Sequence, residues 1–305
     1  MKKIGMIGIG MMGHGIATNL RKHGQDLSVL AHAGNQPLDA LLASGVGLFR
    51  TPKTLAAHCD VIILCVTGTP QVEAVLMGDD GVLAGLRPGS IVIDCSTAVP
   101  SATEKMAHAV MAQGGLFLDS PMTRTPKEAA QGRLNLLVGG DAELFEECKP
   151  ILACFAENIV HAGPIGAGHR MKLLHNYVSL GSVTLLAEAA ACAQLAGVNA
   201  QTFVDVLTIG GGWGAALERL KPFLASGDTS GLRFSLANAL KDLSYYTAMA
   251  QDTNADHTVA DAIQRTLAVA CQDGNPQALL PEIIPLIAQR KTTGHSPHDT
   301  RSDAS

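Results

Sequence analysis

The 305-residue chain is poor in charge: Asp, Glu, Lys and Arg make up 16% of it, and the formal net charge is −5. No basic stripe runs along it, which argues against a nucleic-acid partner but leaves room for a local pocket that binds a small anion. No stretch reaches the ~20 apolar residues of a membrane span. No two of its seven cysteines (Cys59, Cys65, Cys95, Cys148, Cys154, Cys192 and Cys271) have CxxC spacing, so a thiol metal site is not indicated. They read as reduced, buried, small hydrophobes of a cytoplasmic protein. The apolar run after Lys3 resembles a signal peptide only superficially. Five glycines between Gly5 and Gly15 break it, as do His14 and Asn19, and no clean small-residue cleavage site follows. No internal repeat is found. What is present is apolar material: 47% of residues are hydrophobic and the mean hydropathy is +0.21, far from the signature of disorder. The length suggests two domains.

The first half alternates short apolar runs with helical patterns. Strands are expected at 4–7, 27–30, 61–66, 91–94, 116–119, 134–138 and 159–161, with helices such as 11–23, 70–77, 101–113 and 142–153 between them. Such alternation predicts a doubly wound, mainly parallel sheet with helices on both faces. From 166 to 196 runs one long proline-free helical pattern closed by Gly197. Further helices are expected at 200–207, 215–220, 235–251, 255–271 and 277–288. The expectation is therefore a dinucleotide-binding α/β domain over 1–163, an all-α domain over 164–290 and a polar, disordered tail over 291–305.

Gly8-Ile9-Gly10-Met11-Met12-Gly13 matches G-x-G-x-x-G. It follows a predicted strand and opens a predicted helix, the setting in which backbone N–H groups cradle a pyrophosphate. A plain tight turn is the bland alternative. The second strand ends in Ala31-His32-Ala33-Gly34-Asn35, with neither the acidic residue that holds the ribose hydroxyls nor an arginine for a 2′-phosphate. His32 and Asn35 can donate to either cofactor, and His32 is equally well an exposed loop residue, so NAD and NADP both stay open.

On the long helix, Lys172 and Asn176 are four apart, as are His175 and Ser179, so one face carries ammonium, imidazole, amide and hydroxyl. That face is either a solvated stripe with a snorkelling lysine or a reaction site. In the second reading Lys172 protonates a carbonyl oxygen as hydride arrives, and Asn176 holds that oxygen or the lysine. At another strand end, Arg124, flanked by Thr123 and Thr125, offers a planar fork for a carboxylate, phosphate or sulfonate; a surface arginine explains it as well. Ser96 and Thr97 place two hydroxyls on the same sheet edge, or simply belong to a helix-capping turn.

Together these segments resemble the β-hydroxyacid dehydrogenase family, of which 3-hydroxyisobutyrate dehydrogenase is the best-known type. The likeness runs from Lys3 to about Ala288. It is carried by the glycine loop with Ala17-Thr18-Asn19-Leu20 and by Asp119-Ser120-Pro121-Met122 with Ala129 to Leu134 and Val138-Gly139-Gly140. Gly166-Ala167-Gly168 with Lys172 and Asn176, and Phe234 with Lys241-Asp242-Leu243, complete it. The resemblance implies a Rossmann domain followed by a helical domain, pairing into homodimers or homotetramers. It implies NAD or NADP as cofactor, contacted by Gly8, Gly10, Met11, Met12, Gly13, His32, Val66, Thr97, Phe234 and Lys241. It makes Lys172 the catalytic lysine and Asn176 its partner; beside them, the types and positions of the residues themselves place Thr123, Arg124, Thr125, Ser96, His175 and Ser179 around a small anionic 3-hydroxy acid or its semialdehyde. No metal is expected. The family's Ser-Gly-Gly is Thr123-Arg124-Thr125 here, which resembles the sulfolactaldehyde reductase branch, although His175 replaces an asparagine of that branch and its acidic residue on the second strand is missing. Imine reductases share the architecture but usually replace the lysine. A non-catalytic dinucleotide sensor would need no Lys172.

Overall fold

The computed structural model describes residues 2–290; the tail expected over 291–305 lies outside them. Two compact units emerge, Met1–Val178 with Lys241–Asp261, and Ser179–Leu240 with Ala262 onward. The change from strands to helices falls near Gly163, but the units part inside the long helix, at Val178 and Ser179.

The first unit is built on β1 (Lys3–Ile7), α1 (Met11–Lys22), β2 (Asp26–Leu30), α2 (Asp39–Ala43), β3 (Gly47–Phe49), α3 (Pro52–His58), β4 (Val61–Leu64) and α4 (Thr69–Met77). It continues with β5 (Ile91–Asp94), α5 (Pro100–Ala112), β6 (Leu116–Asp119), β7 (Met122–Thr123), α6 (Pro126–Ala130), β8 (Leu134–Gly139), α7 (Ala142–Leu152) and β9 (Ala156–Gly163). The strands lie in the order β3-β2-β1-β4-β5-β6-β8-β7, with β9 pairing β8. β1 to β6 are parallel, and β8 runs antiparallel to β6 and β7. The chain winds outward from β1 to β3, then returns to the centre at β4. That reversal opens a crevice at the C-terminal ends of β1 and β4, where open α/β sheets bind ligands.

The central strands β4 and β5 bury both faces, which explains their unbroken apolar runs. Val61, Ile63, Ile91 and Ile93 enter the core beneath α1, while Ile62, Leu64 and Val92 enter the opposite one beneath α3 and α5, the two-residue period of a strand. In several places the structure departs from the sequence expectation. β4 ends at Leu64 rather than Val66, because Val66 N donates instead to Ser96 Oγ at 3.0 Å. β3, β7, α2, α3 and α6, all seven residues or shorter, add to the expected elements. Cys192 is exposed rather than buried, although all seven thiols are free.

After α8 (Ala167–Leu195) come α9 (Ala200–Ile209), α10 (Ala215–Ser226), α11 (Leu236–Asp252), α12 (Thr258–Asp273) and α13 (Ile283–Gln289). α10 continues past its expected end through Pro222. The helix expected from 277 begins instead as a 3₁₀ turn, Leu280–Glu282. Among the described residues of the second unit the only β pairing is an isolated bridge between Ser235 and Leu279. By length and composition α8 could cross a membrane. Its first turn, however, is tied into the sheet: the fully buried Asp119 carboxylate accepts from Gly166 N at 2.7 Å and His169 N at 2.8 Å.

Candidate active site

The glycine loop leaves β1 at Gly8, whose φ of +95° is left-handed; a Cβ there would stand 2.2 Å from the Cys65 carbonyl oxygen. At Gly13 a Cβ would meet the Gly8 carbonyl oxygen at 1.9 Å, so α1 can close on the loop only without a side chain. At Gly10 a Cβ would meet nothing within 4 Å, so that glycine keeps one face of the loop open to close approach. α1 has no side-chain cap and no acidic residue in its first turn, which suits an anion at its free N–H groups. These features fit the pyrophosphate of a dinucleotide. Asn35 braces the loop against β2: its Oδ1 accepts from Ile9 N (3.3 Å) and its Nδ2 donates to Leu30 O (2.9 Å). His32 is exposed, and its Nδ1 accepts from Gly34 N at 3.0 Å, so the neutral ring carries its proton on Nε2. Met11 is exposed and Met12 half-buried beside it.

One turn beyond the Asp119 cap, Lys172 is buried. Burial is the main cause that brings its pKa down from 10.5 to about 8; the nearby Lys241 cation pushes the same way and the Asp242 carboxylate opposes both. No protein hydrogen bond is made by its Nζ among the described residues. Asn176, one turn on, is clamped at both ends: its Nδ2 donates to Asp242 Oδ2 (2.5 Å) and its Oδ1 accepts from His175 Nδ1 (3.0 Å). His175 therefore orients the amide of Asn176. Lys241 Nζ stands 3.0 Å from Asp242 Oδ1, close enough for an ion pair but without hydrogen-bond alignment. Lys241 also donates to Thr67 O (2.8 Å), and Tyr245 Oη accepts from Thr69 N (3.1 Å). α11 thus grips the loop after β4 and brings Val66, Lys172, Asn176 and Lys241 into one neighbourhood.

Ser96 is buried as a bridge, accepting from Val66 N through Oγ and donating its own N–H to Asp94 Oδ1 (2.9 Å). Thr97 beside it is half-buried. Beneath them, fully buried His169 donates from Nε2 to Ser96 O (3.1 Å), and its Nδ1 meets Thr103 Oγ1 at 2.9 Å. Asp94 keeps Oδ2 without a hydrogen bond, and burial pushes its pKa up.

The loop expected to read an anion is otherwise engaged. Arg124 pairs with Glu157 and donates to Arg133 O, Thr123 Oγ1 accepts from Asn135 Nδ2 (3.0 Å), and Thr125 caps α6 in a capping box with Glu128. Arg124 also has a φ of +82°, a costly conformation for a side-chain-bearing residue. Ser179 and Phe234 belong to the second unit, where Ser179 Oγ accepts from Arg219 at 3.4 Å and the Phe234 carbonyl accepts from Leu280 N.

The family model described as the NAD binding domain of 6-phosphogluconate dehydrogenase matches residues 3–163. A second, described as the NAD-binding domain of NADP-dependent 3-hydroxyisobutyrate dehydrogenase, matches residues 166–287. An NAD-dependent L-serine dehydrogenase of Pseudomonas aeruginosa is 36% identical over 225 residues, 73% of this chain and 74% of that protein. The chain belongs to the β-hydroxyacid dehydrogenase family. It is an oxidoreductase that uses NAD or NADP on a hydroxy acid. The solved Mycobacterium tuberculosis 3-hydroxyisobutyrate dehydrogenase with L-serine has a TM-score of 0.83 and 27% identity, covering 94% of this chain and 99% of that one. The human cytokine-like nuclear factor N-PAC is 32% identical over 209 residues, but this chain spans only 38% of its length.

Three residues of this candidate site went unassigned in the sequence. Asp242 anchors Asn176, Asp119 caps the lysine helix, and His169 ties that helix to the Ser96 loop. Asp119 and Asp242 lie inside segments that carry the family resemblance, but their partners are 47 and 66 residues away.

Proposed function

We propose that the enzyme interconverts a small anionic 3-hydroxy acid and its semialdehyde, with Lys172 as the group that moves the proton. The observation that carries this is the buried Lys172, brought to about 8 with an ammonium that makes no protein hydrogen bond among the described residues. A lysine poised there can give a proton to a carbonyl oxygen or take one from a hydroxyl near neutral pH. The bound nicotinamide supplies or accepts the hydride. Asn176, fixed by Asp242 and His175, keeps its amide beside Lys172. L-serine, named for the Pseudomonas relative and for the mycobacterial structure, is itself a 3-hydroxy acid, which supports the substrate class.

A second reading, reduction of a sulfonate aldehyde, rests on Arg124. A large side chain kept at φ +82° calls for a reason, and binding an anion in exchange for Glu157 is one. Homodimers or homotetramers are supported by the exposed apolar side chains Ile209, Trp213 and Val206 on the helical part, and a cytoplasmic location by the free thiols.

The test is absorbance at the reduced-nicotinamide band, with NAD+ and NADP+ against 3-hydroxyisobutyrate and L-serine, and with NADH and NADPH against carboxylate semialdehydes and sulfolactaldehyde. Turnover of the carboxylates supports the first reading, and turnover of the sulfonate alone the second. Silence with all of them, despite dinucleotide binding, favours imine reduction or a sensor. Lys172→Ala should lower kcat by ~10²–10⁴-fold with cofactor affinity intact; a wild-type kcat removes Lys172 from the chemistry.

A further inference from the structure

Choice between NAD and NADP is made at the C-terminal end of β2, where a carboxylate binds the free ribose hydroxyls of NAD and repels a 2′-phosphate. From Leu27 through Leu38 this chain has no carboxylate. The structure brings a cation to that place from the neighbouring strand. β2 and β3 are parallel with Leu30 opposite Phe49, and Ala31 N donates to Phe49 O at 2.8 Å. The ladder therefore runs one residue past β2 and sets Arg50 beside Ala31, next to His32. Leu30 and Phe49 pack into the core beneath α3, whereas Leu27 and Val29 pack on the side of α1. Alternation then puts Arg50 on the α1 side of the sheet, the side of the glycine loop's helix. Arg50 is exposed and forms no ion pair or hydrogen bond among the described residues. His32, its Nδ1 already occupied by Gly34 N, has an Nε2–H to donate.

We propose that Arg50 and His32 form a subsite for the 2′-phosphate of NADP(H), and that the protein prefers it to NAD(H). Arginine's fork suits a phosphate, and a charge-assisted contact adds to the imidazole donor. The proposal rests on dinucleotide binding at the glycine loop, not on the identity of the substrate.

The test is calorimetric titration of the full-length protein with NADPH and with NADH, and displacement of bound NADPH by 2′,5′-ADP compared with 5′-AMP. Wild type should bind NADPH at least about tenfold more tightly, and 2′,5′-ADP should be the better competitor. Arg50→Ala should weaken NADPH roughly 10- to 100-fold, the size of one hydrogen bond to a charged group, and leave NADH unchanged, which also certifies the fold. Arg50→Lys should lose less. Equal or tighter NADH binding by wild type, or an equal loss of both cofactors in Arg50→Ala, would overturn the proposal. Failure of wild type to bind either dinucleotide would overturn the glycine-loop reading and this subsite with it, an outcome distinct from a reversed preference.

Discussion

Replacing Lys172 by methionine should make the protein more stable while lowering turnover by ~10²–10⁴-fold. The side chain is of similar length, so packing is largely kept, and what is lost is a buried charge. In the fold its pKa is about 8 against an ordinary 10.5. That difference of about 2.5 units, at 1.36 kcal/mol each, makes the protonated form cost about 3 kcal/mol in the folded state. The attraction to Asp242 is already counted in that shift, so the figure is the net effect of removing the charge. The pH dependence has a definite sign. Below about 8 the lysine is protonated in both states and the full penalty is present. Between about 8 and 10.5 the unfolded chain binds the proton and the fold does not, so wild-type stability rises with pH. Lys172→Met should therefore gain up to about 3 kcal/mol at pH ~6.5 and progressively less above about 8. Urea unfolding of both proteins at several pH values measures this directly. Equal stability, or a gain that does not shrink with rising pH, would refute the claim that Lys172 is held in the fold at the expense of stability, a trade common at active sites.

If Lys172 carries the proton, the same shift sets the pH profile of activity. Reduction needs the ammonium and oxidation the free amine, so kcat/KM for reduction should fall, and for oxidation rise, as pH passes about 8; pH profiles flat from about 7 to 9 in both directions would rule out Lys172 as the proton carrier. Arg124→Gly relieves a left-handed conformation worth ~1 kcal/mol and removes a part-exposed ion pair worth at most about 1 kcal/mol. Stability should thus barely change while KM for an anionic substrate rises; unchanged KM for every active anion ends the role of Arg124 as reader. Asp119→Ala strands two buried N–H groups at the start of α8 and should cost roughly 2–4 kcal/mol together with kcat. Asp119→Asn, keeping one acceptor oxygen, should recover part of both, and a mutant as stable as wild type would show that the cap does not position the helix.

What could be read from the sequence was whatever is written locally. The G-x-G-x-x-G loop, the apolar strands β1, β4 and β5 and the proline-free run of α8 each carry their signal within about ten to thirty residues. β3 and β7, with three and two residues, owe their strand character to a neighbour's free edge, which no periodicity announces. Lys172 was visible because helical spacing places it with Asn176. Asp242 was not, because its place beside them depends on the return of α11 across 66 residues. The anion loop is the converse case: Arg124 has the right chemistry by type, and only the fold shows that Glu157, 33 residues on, pairs with it. Arg50 went unremarked because only the pairing of β2 with β3 puts it at the edge where a 2′-phosphate would lie.

The first unit is interrupted, completed only when Lys241–Asp261 returns to it, and this has a consequence for synthesis. The bonds from Lys241 to Thr67 and from Thr69 to Tyr245 close loops of 174 and 176 residues. A chain emerging from the ribosome can assemble β1 to β9 early, since each of those strands pairs with neighbours already made. It cannot secure the loop after β4 or fix Asn176 until the later segment has been made, including the whole stretch Ser179–Leu240. Domains usually fold in the order in which they are translated; here the nucleotide-binding half is finished late, so a truncated product can present a Rossmann sheet yet never the completed neighbourhood of Lys172 and Asn176.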